Sequence, residues 1–304
     1  MFIVENGGIF LLRCIKCNYD LILNEKGYIC QNCNFLYKKQ NGIYLFHDTQ
    51  SQEEKFFPED AFSELFNSET NNFWFKVRNK IIKFFILKYV PNKKIKILDL
   101  GCGTGFVSQT IKSMGYSIDC LDIFHDALRF CMKRNAGDDY YLSNLYLMPF
   151  SEQYNLISAF DVIEHINDDC KVLNNIHSAL KRDGQLLITV PANKKLWSYF
   201  DIHCEHKRRY SKEELAKKIE DTGFEIVRIS YFMTLLFPFI YVSRLRYKNI
   251  KKSDKISNSF NELSINHFLN MIFYLIFNIE SYLIKYINLP FGSSLICLAR
   301  KRDE

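Results

Sequence analysis

Four stretches of the 304-residue chain hold residue types at spacings that do chemistry. In ILDLGCGTG, residues 97–105, an apolar run meets Asp99 and then Gly101, Gly103 and Gly105 spaced GxGxG. Glycine tolerates positive φ and lets a ligand reach contact distance with the backbone, so this reads as a strand feeding a nucleotide-cradling turn and a helix. The dinucleotide fingerprint is GxGxxG, a different spacing. CIKC at 14–17 and CQNC at 30–33 offer four thiolates, Cys14, Cys17, Cys30 and Cys33, a set suited to a structural tetrahedral Zn²⁺ with no open position. Redox-active cysteines are the competing reading. In YNLISAFDVIEHI, 154–166, a strand precedes Asp161, Glu164 and His165. Open α/β sheets place reaction sites beyond the carboxyl ends of their strands, where His165 suits a general base toward a phenol, hydroxyl or acid; helix capping or packing is its alternative. LWSYFDIHCEHKRRYS, 196–211, crowds Asp201, His203, His206, Arg208 and Arg209 into a loop after a strand. His203 is a second candidate base, and with His206 and Asp201 it forms a weak metal pattern. His206, Arg208 and Arg209 are candidate substrate contacts, the arginines as a clamp on a carboxylate or phosphate. A solvated surface run is the alternative.

The elements that must position these residues follow in alternation. A helix over 72–90 stops before Pro91, with the strand at 95–100 next. After the glycine turn come a helix at 106–114 and a strand at 117–121 tipped by Asp122. An acid there can accept hydrogen bonds from both ribose hydroxyls, with Ile123 beside it for an adenine face. Nicotinamide enzymes also place an acid at that tip, so Asp122 alone does not separate the cofactors. Asn167 and Asp168 cap a helix at 169–180. A fifth strand runs over 184–192, a capped helix over 212–222, a sixth strand over 224–232 and a seventh over 294–301.

The acid-x-GxGxG turn resembles motif I of class I S-adenosylmethionine methyltransferases. That resemblance covers roughly residues 72–301. It implies a Rossmann-like α/β fold, a seven-stranded sheet with helices on both faces, binding S-adenosyl-L-methionine through Asp99, Gly101, Gly103, Gly105, Asp122 and Ile123. In YYLSNLYLMPF, 140–150, Asn144 stands where the family carries an acid touching the adenine amine. DVIEH is similar to the ExxEH of quinone-biosynthesis O-methyltransferases, whose acids and histidine are linked to a divalent metal; here the first acid is Asp161. The HKRRY loop resembles a bacterial methyltransferase subfamily of glycan, lipid and natural-product pathways. Trp74 and Arg78 look like part of the helix preceding motif I in one subfamily, and NGIYLF at 41–46 resembles the end of a zinc ribbon fused to, or partnering, methyltransferases.

Composition bounds these readings. A 48% hydrophobic content excludes a disordered chain, and ten cysteines, four paired and six scattered, are not a disulfide framework. The N-terminus lacks a secretory pattern, so a cytoplasmic protein is expected. The net charge of +6 permits contact with RNA or an anionic membrane without demanding either. The expected organisation is a zinc ribbon over 1–46, a linker over 47–71 and a methyltransferase domain over 72–301, with a helical insertion over 233–290. That insertion holds a basic run from Arg244 to Lys255 and then an apolar stretch over 262–289 interrupted by Glu280 and Lys285. It reads as an interfacial helix at the inner face of an anionic membrane, a lid over a greasy substrate, or a helix packed on the protein or a dimer partner. The expected function is methyl transfer, most often to oxygen, on a small-molecule, glycan- or lipid-linked acceptor. An RNA methyltransferase gripping RNA through the ribbon, or a non-catalytic cofactor-binding scaffold, are the alternatives.

Overall fold

A computed structural model describes residues 12–46, 59–235, 237–238, 240–242 and 266–302. Apolar runs make the central strands: β5 (Lys96–Leu100), β6 (Ser117–Asp122), β7 (Tyr140–Ser143), β8 (Tyr154–Phe160), β9 (Leu180–Pro191), β10 (Phe224–Phe232) and β11 (Ser294–Lys301). They pair in the order β7-β6-β5-β8-β9-β11-β10. The first five are parallel, while β11 runs antiparallel between β9 and β10. Being covered on both faces, these strands read as nearly continuous apolar segments. The seven expected strands are therefore present. β9 begins at Leu180 because the preceding helix stops one residue earlier.

The sheet does not end at seven. The N-terminal strands β1 (Leu21–Asn24), β2 (Gly27–Cys30), β3 (Leu36–Gln40) and β4 (Ile43–Phe46) form an antiparallel meander. Its last strand pairs in parallel with β7, from Ile43 opposite Tyr140 to Phe46 opposite Ser143, giving an eleven-strand order. An unpaired β7 would present open backbone donors and acceptors, and β4 closes that edge. The seam is aromatic: Tyr37 stacks on Phe46 at 4.6 Å, Tyr44 on Tyr141 at 5.4 Å, and Tyr141 meets Phe150 edge-on at 5.1 Å. Part of the chain's 15% aromatic content is thus buried here, in one core shared by ribbon and sheet.

Helices cover both faces. On one, α5 (Asp169–Ala179) and α7 (Lys212–Asp221) bury Val172, Leu173, Leu215 and Ile219 against Leu98, Leu100 and Ile157. On the other, α2 (Phe73–Tyr89), α3 (Phe106–Ser113) and α8 (His267–Leu283) pack on Ile97, Leu156 and Ile296. Within the stretch expected as a connection, residues 59–69 form α1 (Glu59–Glu69), which leans on α4 (His125–Lys133) through Phe66 and Phe130, 5.1 Å apart. Residues 47–58 and the basic run at 244–255 lie outside the described residues. The short α6 (Tyr199–His203) sits in the loop after β9.

α8 is turned in an unusual way. Several of its polar residues bond to the rest of the protein: Asn270 accepts from the Phe73 N–H at 2.8 Å, and Lys80 of α2 donates to Asn278 at 2.7 Å. Much of its apolar surface is left outward. Among the described residues no helix is long and apolar enough to cross a membrane.

Candidate active site

The glycine turn has the backbone its composition requires. Gly101, Gly103 and Gly105 sit at φ of 62°, 54° and 79°, left-handed values that side chains rarely accept. They differ in what surrounds them. A Cβ on Gly101 would lie 2.6 Å from Val162, and one on Gly105 would lie 2.6 Å from the Cys131 sulfur, so these two permit close packing. A Cβ on Gly103 would meet nothing within 4 Å. That open side is where a ligand's approach to the backbone fits. Behind the turn, the thiols of Cys102, Cys120 and Cys131 lie within 4.8 Å of one another.

Two acids hold the turn. Asp122, at the tip of β6, accepts from the Gly103 N–H at 2.8 Å through Oδ2 and from the Phe124 N–H at 2.9 Å through Oδ1. Burial pushes its carboxyl up to about 6, against the pull of these backbone donors. Asp99 lies beneath, accepting from Ser108 at 2.5 Å and Ser158 at 2.8 Å. Both its oxygens are engaged with serines, so Asp99 braces the turn from below, and burial pushes it up to about 7. Ile123 is half-buried beside Asp122. Asn144 accepts from the Tyr146 N–H at 2.9 Å, capping the short turn after β7.

A third acid escaped the sequence reading. Glu69, at the end of α1, accepts from the Thr104 hydroxyl of the glycine turn and pairs with Arg134 at 2.8 Å. Neither spacing, 35 nor 65 residues, leaves a local signal. The Glu69→Ala variant is expected to lose about 3 kcal/mol, because it strands a buried guanidinium. Urea unfolding measures this, and an unchanged midpoint would refute the clasp.

The second half of the site lies beyond β8, beside the first, since Val162 packs on Gly101. Asp161 adopts φ of 58° and forms an ion pair with Arg78 of α2 at 2.6 Å, close but not aligned as a hydrogen bond. Glu164 is 0% exposed, and neither of its oxygens has a hydrogen-bond partner. Burial, reinforced by the charge of Asp161, pushes its carboxyl well above the ordinary value. The His165 and His206 rings meet edge-on at 4.8 Å. Burial, with His206 adding to it, pushes His165 down to about 4, leaving a neutral imidazole.

The loop after β9 folds back onto this segment. Asp201 is held by its place in the capping box of α6 and accepts from Arg209 at 2.7 Å; His206 Nδ1 lies 2.9 Å from the same oxygen. Against the penalty of burial, those two partners keep Asp201 below the usual carboxylate range. Arg208 pairs with Asp169 at 2.8 Å, as Tyr210 and Lys218 also do, at 2.8 and 2.7 Å. The sequence pattern sets both arginines out as an anion clamp; in the fold both are engaged with the protein's own acids. His203 is exposed on α6 and does not join the His165–His206 pair. Ligating atoms of Glu164, His165 and His206 lie within 4.8 Å of one another, and the unpartnered oxygens of Glu164 suit a divalent cation.

The four N-terminal cysteines also converge, their sulfurs within 4.8 Å. Each pair closes the same way. Asn18 donates its N–H to the Cys14 carbonyl at 2.8 Å and Asn34 to the Cys30 carbonyl at 3.0 Å, both at φ of 57°. Two matching turns bring four thiols to one point, the donor set of a tetrahedral site.

Comparison with known proteins speaks to the family and the fold. A family described as a methyltransferase domain matches residues 66–229, more than half of the chain. The ubiquinone biosynthesis O-methyltransferase of Rickettsia bellii is 25% identical over 165 residues, 49% of this chain and 69% of its own length. That of Pelagibacter ubique is 29% identical over 129 residues, 40% of this chain and 53% of its own. Among solved structures, Haemonchus contortus phosphoethanolamine N-methyltransferase 2 with S-adenosyl-L-methionine superposes with a TM-score of 0.56 at 19% identity. The match covers 83% of this chain and 59% of that one. A complex between the Haloferax volcanii Trm112 methyltransferase activator and a methyltransferase gives 0.53 at 13% identity, covering 81% and 96%. At these identities the structures speak to the fold.

Proposed function

Because the chain belongs to the methyltransferase-domain family, as a class I S-adenosylmethionine-dependent methyltransferase, we propose that it methylates an oxygen of a small-molecule or lipid-linked acceptor. The observation that carries this reading is the histidine pair. His165 stands beyond the carboxyl end of β8, half-buried and neutral, three residues after the Val162 that packs on the glycine turn, with His206 fixed against it by Asp201. The ubiquinone O-methyltransferase relatives support an oxygen acceptor by the reaction their names state. An RNA acceptor draws no comparable support.

The sulfonium carbon is activated without acid, so the protein's work is alignment and removal of one proton. Asp122 is placed to accept the ribose hydroxyls, the open side of Gly103 admits the donor, and Ile123 and Asn144 flank the adenine side. The acceptor oxygen attacks the methyl carbon in line with the departing sulfur. Its proton passes to the His165 imidazole, and the sulfonium leaves as a neutral thioether. His206, Arg208 and Arg209 act as positioning residues that hold the acceptor loop. Asp161, paired with Arg78, fixes the turn that carries His165. Glu164, His165 and His206 fit a divalent cation, which when bound supplies a Lewis acid that lowers the acceptor hydroxyl's pKa. Activity that survives chelation leaves the proton with His165. Cys14, Cys17, Cys30 and Cys33 fit a structural Zn²⁺, with all four positions filled by protein.

Extracts incubated with labelled methyl donor test the reaction. The expected product is an O-methyl small molecule or lipid, and label confined to RNA would overturn the reading. With the acceptor in hand, His165→Ala is expected to lower kcat on the order of 10²- to 10³-fold, as general bases do. His203→Ala should change it little. The pH profile adds a sharper check. His165 is lowered from the usual histidine range to about 4, so its neutral form persists as pH falls through 6. At saturating donor the acid limb of kcat is expected near pH 4, apart from the limb near 6 that Asp122 gives to donor affinity, and a kcat limb near 6.5 would give the base to another histidine.

A further inference from the structure

We infer that α2 and α8 together form a docking face for an anionic lipid bilayer, with α8 lying flat in its surface. The first observation is the orientation of α8. Phe268, Met271, Leu275, Ile279, Tyr282 and Tyr286 recur at intervals of three and four residues, one helical stripe continuing into the turn after the helix. Every one of them faces solvent, from 47% exposed at Met271 to 69% at Tyr286. The opposite side, with Phe277, Glu280 and Ser281, is the buried one. Single exposed apolar residues need no explanation, but a continuous stripe marks an interaction surface.

Charge says what covers it. Lys80, Lys83 and Lys88 of α2 and Lys285 beyond α8 border a cleft of about 540 Å³ between the two helices. Among the described residues none of the four forms an ion pair; Lys80 donates instead to Tyr274 and Asn278. α2 contains no acid and residues 284–293 contain none. The one acid of α8, Glu280, is 1% exposed and turned inward, accepting from the Leu235 N–H at 3.2 Å. Among these described residues the face is therefore apolar with a cationic border. A second copy docking symmetrically would set two lysine rows together with no carboxylate between them. A membrane surface answers both features: acyl chains take the stripe, lipid phosphates take the lysines, and tyrosines suit the boundary.

Sedimentation of the full-length protein with vesicles tests this. Binding to phosphatidylcholine containing phosphatidylglycerol is expected to exceed binding to phosphatidylcholine alone on the order of tenfold, and to weaken with salt. The double variant Leu275→Glu, Ile279→Glu should abolish binding, and Lys83→Glu, Lys88→Glu should erase the lipid preference. Both should keep S-adenosylhomocysteine affinity, so this inference and the methyl-transfer reading fail separately. Amide exchange in the unmodified protein removes any dependence on variant folding: anionic vesicles should slow exchange across 267–287. No sedimentation with either vesicle, unchanged exchange, or a dimer that the Leu275→Glu, Ile279→Glu variant splits in sedimentation velocity would each overturn it.

Discussion

The Cys30→Ser variant is expected to unfold the whole sheet earlier, lowering Tm by about 10 °C or more in a single transition. The ribbon is small, and the expectation follows from the structural Zn²⁺ proposed for its four converging sulfurs, since such an ion supplies folding free energy to a small module. A detached ribbon would melt alone. Here β4 pairs along its length with β7, and Tyr37, Phe46, Tyr141 and Phe150 form one aromatic stack across the seam. Loss of the ribbon would expose that stack and reopen the edge of β7. Calorimetry separates the outcomes. Two transitions, the second at the unmodified Tm, would show that the seam transmits nothing. A parallel dye assay should report zinc released in step with unfolding.

Donor binding gives the other large effect. Asp122→Ala is expected to weaken S-adenosylhomocysteine binding on the order of 100-fold, since hydrogen bonds to a charged acceptor are worth about 1.5–3 kcal/mol each. The same change also frees the Gly103 and Phe124 N–H groups that fix the turn. Asp122→Asn, which keeps an acceptor oxygen, should fall between. A pH dependence follows with a definite sign. Burial raises the carboxyl to about 6 in the free protein, and the ionised form is the one that accepts ribose hydroxyls. Affinity should therefore rise as pH increases through about 6 and level off above it. Titration calorimetry reads both effects. Affinity within threefold of the unmodified protein for Asp122→Ala would remove this residue from the donor site.

What was legible in the chain was local. The left-handed backbone of Gly101, Gly103 and Gly105, the acid closing β6 and the capping box at Ser211 depend on residues a few positions apart. The two cysteine pairs were readable because each occupies one short turn. The apolar runs likewise marked most of the central strands, while the seven-stranded, doubly covered sheet was what the resemblance to class I methyltransferases implied.

Other features required the assembled fold. Glu69 reaches Thr104, Arg78 reaches Asp161, and β4 joins β7 only because the topology brings distant segments together. Arg208 and Arg209 have the same sequence whether they face an acceptor or Asp169 and Asp201; burial of those acids draws them inward. The same holds for α8, whose periodicity defines an apolar stripe but not its direction. The glycine turn, the acid beside it and the cysteine pairs were determined by the sequence itself, because backbone sterics and chelate spacing act over a few residues. Which charges pair, which face of α8 meets water and which strand closes the sheet were decided by tertiary structure, because desolvation is settled only when the partners arrive.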